Sequence, residues 1–170
     1  VEPIKRDLQI TDTQIGLLHG FAFAIFYTTL GLPIARLADR TDRRRLIAAG
    51  VAFWSAMCAA CGLARTFGQL FLARVGVGVG EAALSPAAYS MLADAFPPDR
   101  LGRALGVYSS AIYAGAGVAL LVGGSVAAAA ASATAVHVPL LGAVQPWQLT
   151  FFVVGAPGLL HQAVELVGLR

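Results

Sequence analysis

The 170 residues are 58% hydrophobic and only 12% charged, with a mean hydropathy of +0.74 and a formal charge of +3. A soluble domain carries about 25% charged residues, so this composition excludes an ordinary water-soluble globule and places the chain in a bilayer. Nucleic acid is excluded as a partner as well: eleven of the twelve basic residues are arginine and five of those crowd between Arg36 and Arg45, a local cluster rather than a basic face.

In chain order, residues 1–13 are too polar to be the apolar core of a signal peptide, and without an initiator Met the chain is expected to continue upstream. About 20 mostly apolar residues are needed to cross about 30 Å of hydrocarbon at about 1.5 Å each. Residues 14–35 and 46–64 meet that length without a charge, and 69–92 meets it while carrying Arg74 and Glu81. From Ala104 to Val164 there is no Asp, Glu, Lys or Arg. That run is too long for one helix and is interrupted at "HVPLLGAVQPWQ", where Pro139, Gly142 and Pro146 punctuate it. Two further spans follow, 104–128 and 147–168. None of the five shows the polar face of a surface helix or the alternation of a membrane strand. Cys58 and Cys61 form a C-x-x-C in the middle of the second span, where small packing residues are a better description than a redox pair.

Orientation follows from the arginines. One loop, after the first span, holds Arg36, Arg40, Arg43, Arg44 and Arg45, and another, after the third, holds Arg100 and Arg103. The opposite side offers Lys5, Arg6 and Arg65. Positive charge collects in the cytoplasm, so both arginine loops are expected there, residues 1–13 outside, and the first span running inward.

The stretch "ARLADRTDRRRLI", Ala35 to Ile47, resembles the loop between the second and third helices of major facilitator superfamily transporters, approximately G-x-L-A-D-R-x-G-R-R/K. Ala35 replaces its first glycine and Asp42 its second, and Asp takes a left-handed turn less easily than Gly. "RVGVGVGEAALSP", Arg74 to Pro86, is similar to the fourth helix of the Spinster-like branch, and "WQLTFFVVGAPGLL", Trp147 to Leu160, to the opening of the sixth. The same glycines fit the G-x-G-x-x-G/A of a dinucleotide loop, but that loop needs a strand before it and an acid about twenty residues on, and here long apolar runs flank it. The resemblance implies an all-α membrane protein, a partial six-helix half of the superfamily bundle with five transmembrane helices, numbers two to six. The first helix and the C-terminal half of the same transporter are then the absent partners, alongside the lipid bilayer.

Several residues are candidates for function. Arg74 and Glu81 are seven apart, which leaves them about 20° from one helix face and about 10 Å apart along the axis. Charges inside a bilayer are costly unless they face protein or water, so both are expected to look into one cavity, Glu81 as a proton-coupling carboxylate and Arg74 as the partner of an anion or carboxylate. Gly76, Gly78 and Gly80 give small positions for close helix packing, as do Gly115 and Gly117 further on, and Pro86 is expected to bend its helix. From the resemblance comes a cytoplasmic gate of Asp39, Arg40, Arg43, Arg44 and Asp94. His19 and His161 are isolated, no spacing suggests a metal site, and neither cofactor nor catalysis is expected. The resemblance thus implies a proton-coupled secondary transporter of a small organic anion or lipid-like solute, in a bacterial cytoplasmic membrane. Two alternatives stay open: a non-transporting receptor or scaffold, and a sugar-acid or organic-anion symporter of another branch.

Overall fold

The computed structural model describes residues 1–38, 40–131, 136–138 and 142–168, with side chains excepted at 127, 130, 131, 136–138, 142, 143 and 163–168. Over these residues the chain is nearly all helical. A short α1 (Glu2–Leu8) ends at Gln9, whose φ of 51° is left-handed. Then come α2 (Asp12–Ala38), α3 (Arg43–Cys61), α4 (Phe67–Ala95), α5 (Pro98–Ala131) and α6 (Pro146–Gly168). Between α5 and α6 a small antiparallel pair, β1 (Val136–Val138) and β2 (Gly142–Val144), sets Val136 opposite Val144. Among the described residues Asp12–Ala38, Arg43–Cys61, Phe67–Ala95 and Pro98–Val126 are long and apolar enough to cross a membrane. The fifth expected span, 147–168, falls on α6, whose side chains are described as far as Gln162.

Each helix start has a local chemical cause. Thr11 and Gln14 form a capping box: the Gln14 amide donates to Thr11 Oγ1 at 3.3 Å, and the Thr11 amide donates to Gln14 Oε1 at 2.9 Å. Thr66 likewise accepts from the Gln69 amide at 3.3 Å, while Gln69 Oε1 takes the Arg65 amide at 2.8 Å. At the head of α6, Gln148 Oε1 accepts the Gln145 amide at 2.8 Å. A neutral glutamine therefore satisfies a free amide at the start of all three helices that run in the direction of α2. The helices running the other way start on Asp42 and on Pro98. Proline suits a first turn, whose amides have no partner within the helix.

These starts correct two sequence expectations. Arg43, Arg44 and Arg45 form the first turn of α3 rather than a loop, because Asp42 caps it, and Arg100 and Arg103 lie on α5, which begins at Pro98. The third expected span, 69–92, falls within Phe67–Ala95. After Glu81 the helix is interrupted by a turn at Ala82–Ala83 and resumes over Leu84–Ala95. Pro86 explains the place, since a proline ring clashes with the carbonyl four residues before it, here that of Ala82.

α3 forms the centre, packed against α4 on one side and α6 on the other, with α2 lying on α4. The buried cluster of Ile10, Leu18, Cys61, Ala64, Leu70 and Ala73 ties together the start of α2, the end of α3 and the start of α4. Cys61 is fully buried there and both cysteines are free thiols. Gln148 locks α6 to this end by donating from Nε2 to the Ala64 carbonyl at 3.1 Å, and Trp147 Nε1 donates to Asp7 Oδ2 at 3.0 Å. By contrast α5 leaves large apolar side chains uncovered, among them Val107, Tyr113, Leu120 and Leu121.

Candidate transport site

The glycines of α4 determine how close its neighbours come. A Cβ on Gly80 would lie 2.8 Å from the Trp54 Cβ and backbone nitrogen and 3.0 Å from the Gly50 carbonyl oxygen, so α3 and α4 touch backbone to backbone. Gly76 faces the Met57 side chain at 2.5 Å on the same test, whereas Gly78 faces α2, 3.1 Å from the Phe23 carbonyl oxygen. The three small positions thus serve two partners, α3 and α2. Gly115 and Gly117 meet nothing within 4 Å in the described chain.

On either side of these contacts α4 carries its two charges. Arg74 is half-buried and Glu81 is exposed on the last turn before the break. No ion pair joins them, and neither side chain has a hydrogen-bond or ion-pair partner among the described residues. Below the break, Tyr27 Oη and Ser85 Oγ lie 3.3 Å apart, with Phe23 stacked on Tyr27 at 5.3 Å, and Tyr89 meets Tyr108 edge-on at 5.4 Å. Ser110 bonds its own helix, donating to the Gly106 carbonyl at 2.8 Å.

At the arginine-rich end, Arg43 Nη1 pairs with Asp94 Oδ2, joining the start of α3 to the end of α4. Arg40 is exposed in the turn, its amide bonded to the Leu37 carbonyl at 3.1 Å, and Arg44 is exposed on the first turn of α3. Asp39, the remaining expected gate residue, lies outside the described residues. Asp42, where the resembled pattern has glycine, takes an extended conformation (φ −64°, ψ 109°), and its carboxylate accepts the Arg44 and Arg45 amides at 2.9 and 3.4 Å. It replaces a flexible turn residue with a cap.

Comparison with known proteins decides the family. The family model described as "Major Facilitator Superfamily" matches residues 1–164. The chain belongs to the major facilitator superfamily. Within the superfamily it is 37% identical, over 99% of its own length, to an "MFS-type efflux pump" of Mycolicibacterium smegmatis. It is 33% identical, over 68% of its length, to a "Probable L-galactonate transporter" of Escherichia coli. The crystal structure of a bacterial homolog to the human lysosomal transporter Spinster, inward-facing and occupied, superposes with a TM-score of 0.84 at 37% identity over 99% of this chain. The chain spans 36% of the efflux pump, 25% of the L-galactonate transporter and 39% of the solved Spinster homolog. Its fold is a partial superfamily bundle of the Spinster-like kind.

Proposed function

We propose that this chain is the cavity-forming part of a secondary active transporter that works by alternating access. Arg74 binds the anionic head of a small organic or lipid-like solute, and Glu81 exchanges the coupled proton. One observation carries this: two ionisable side chains, without partners among the described residues, stand on one stripe of a helix that is broken just after the second. Discontinuous helices of this kind line substrate and ion sites near the midplane of transporters, and intramembrane charges are retained where they serve a pathway. The similarity to an efflux pump and to an L-galactonate transporter supports a transport role and an anionic solute. In this reading the Arg43–Asp94 pair, with Arg40, Arg44 and Asp39 beside it, is a cytoplasmic latch that opens with the inward-facing state. The arginine-rich end faces the cytoplasm of a bacterial cell and α1 lies outside.

The experiment is proton-driven uptake by the complete transporter in liposomes. Glu81→Gln is expected to abolish accumulation driven by a pH gradient while leaving counterflow exchange of preloaded solute. Unchanged pH dependence in Glu81→Gln would remove the carboxylate from the coupling role.

A further inference from the structure

In the middle of α6 the chain touches α3 backbone to backbone. A Cβ on Gly155 would lie 3.0 Å from the Ala59 amide nitrogen and the Ser55 carbonyl oxygen, and one on Gly158 would run into Ser55 Oγ. From Gly158 toward the arginine-rich end the same two helices flank a cavity of about 1180 Å³. Pro157 stands where the close contact ends, and a proline inside a helix is a usual cause of a bend.

The lining changes character with depth. Ala48, Val51 and Pro157 form an apolar floor, while Asp42, Arg44, Arg45, His161 and Gln162 surround the end nearest the arginine-rich turn. The Arg44 side chain has no partner among the described residues. Arg45 reaches Asp42 only at 3.7 Å, with 89% of its side chain exposed, and the Asp42 carboxylate already accepts two α3 amides. Two arginines therefore face one aspartate, and the lining is positive. Gln162 points to a ligand independently. It is only 7% exposed, it lines the cavity, and its side chain has no partner among the described residues. Buried polar groups are as a rule hydrogen-bonded, so this amide is left for whatever fills the space.

We propose that the cavity binds one anionic phospholipid of the phosphatidylglycerol kind, from the leaflet at the arginine-rich end. Arg44 and Arg45 hold the phosphate through charge-assisted hydrogen bonds. Gln162 and His161 bond the hydroxyls of the glycerol head, and the apolar floor takes the first methylenes of an acyl chain. Charge selects this occupant. A further apolar helix in the cleft would set hydrocarbon against two arginines, which is costly, and a zwitterionic lipid would bring its own cation toward them. Basic pockets between membrane helices on the cytoplasmic side hold anionic head groups in this way. The choice of leaflet rests on the orientation proposed above, but the site does not. It is also distinct from Arg74, which stands nearer the other end of α4.

The test is native mass spectrometry of the complete transporter in detergent, titrated with dioleoyl phosphatidylglycerol. Dioleoyl phosphatidylcholine and free glycerol phosphate are the comparison probes. Detergent removes sidedness, so an error of orientation leaves the result unchanged. One phosphatidylglycerol is expected to bind about tenfold or more tightly than phosphatidylcholine, and Arg44→Gln with Arg45→Gln should remove that advantage. Arg36→Gln with Arg103→Gln takes the same charge from the same end outside the cavity, and should change binding by less than about twofold. Gln162→Leu should weaken binding about fivefold. Ala48→Phe fills the floor and leaves every charge in place, so it should also abolish binding, with thermal unfolding as the check that the variant is folded. The proposal is overturned if no phosphatidylglycerol binds, if the two arginine double variants weaken binding equally, or if folded Ala48→Phe binds normally. Displacement of the lipid by an equal concentration of glycerol phosphate would overturn it too, in favour of a soluble phosphate ligand. Loss of binding in Arg74→Gln but not in the Arg44 and Arg45 double variant would make the lipid the transported solute, leaving the Arg74 assignment standing and the cavity without its ligand.

Discussion

Asp42 illustrates how a departure from a family pattern becomes informative once its backbone is known. In the resembled loop a glycine stands at this position, and on sequence grounds the aspartate weakens a tight turn. Its carboxylate instead caps α3. Loss of an N-cap costs about 1 kcal/mol with alanine and a few tenths with glycine. Asp42→Ala should therefore lower unfolding stability in mixed micelles by about that larger amount, while Asp42→Gly, the family residue, should fall close to wild type. Equal losses for the two would contradict the capping role. The neighbouring Arg43–Asp94 pair is a smaller effect, because Asp94 is 67% exposed and exposed pairs contribute about 0.2–1 kcal/mol. A double-mutant cycle of Arg43→Gln and Asp94→Asn should give a coupling in that range. The exchange Arg43→Asp with Asp94→Arg should recover part of it, and zero coupling would reduce the pair to a chance contact.

At the scale of the elements, the α4 glycines separate backbone contact from side-chain contact. Gly80→Ala puts a methyl group against the backbones of Trp54 and Gly50, neither of which can yield without parting α3 from α4. Overpacking of this kind costs about 1–3 kcal/mol. Gly76→Ala meets the Met57 side chain from Cβ to Sδ, which can turn aside where backbone cannot, and Gly115→Ala meets nothing within 4 Å in the described chain. The expected order of destabilisation is Gly80, then Gly76, then Gly115, the last about neutral, measured by thermal unfolding of the purified variants. A larger loss at Gly115 than at Gly80 would contradict the packing. The apolar runs and their approximate places were legible in the sequence because burial in lipid is recorded directly in composition. The true ends were less so. Hydropathy counts Gln14, Gln69 and Gln148 simply as polar residues near a span, while their work is to hold backbone amides at helix starts. It also passes over the break at Ala82–Ala83, which depends on the reach of the Pro86 ring rather than on polarity. Thr11 followed by Gln14 and Thr66 followed by Gln69 carry the spacing of a capping box, and these local signals could have placed two helix starts in advance.

At the scale of the whole molecule, the exposed face of α5 and the charges of α4 have a common explanation. A soluble monomer rarely exposes a large contiguous apolar patch, yet Tyr113, Leu120 and Leu121 are each 75–79% exposed. Such a face is stable against lipid or against further helices of a bundle, and this chain covers 39% of the Spinster homolog it superposes on. Family and charge were legible from the order and spacing of the arginine-rich turn and the glycine helix. The packing of Gly78 against the Phe23 backbone was not, since it depends on how two helices separated in the chain by α3 come together. The account stands on the apolar helices threading the bilayer with the arginine-rich end inside the cell, and labelling of single cysteines by an impermeant maleimide tests this most directly. With Cys58 and Cys61 replaced by serine in the complete transporter, Thr41→Cys should react only after the cells are opened, and Glu2→Cys should react in intact cells. Labelling of Thr41→Cys from outside intact cells would contradict the orientation and, with it, the cytoplasmic latch.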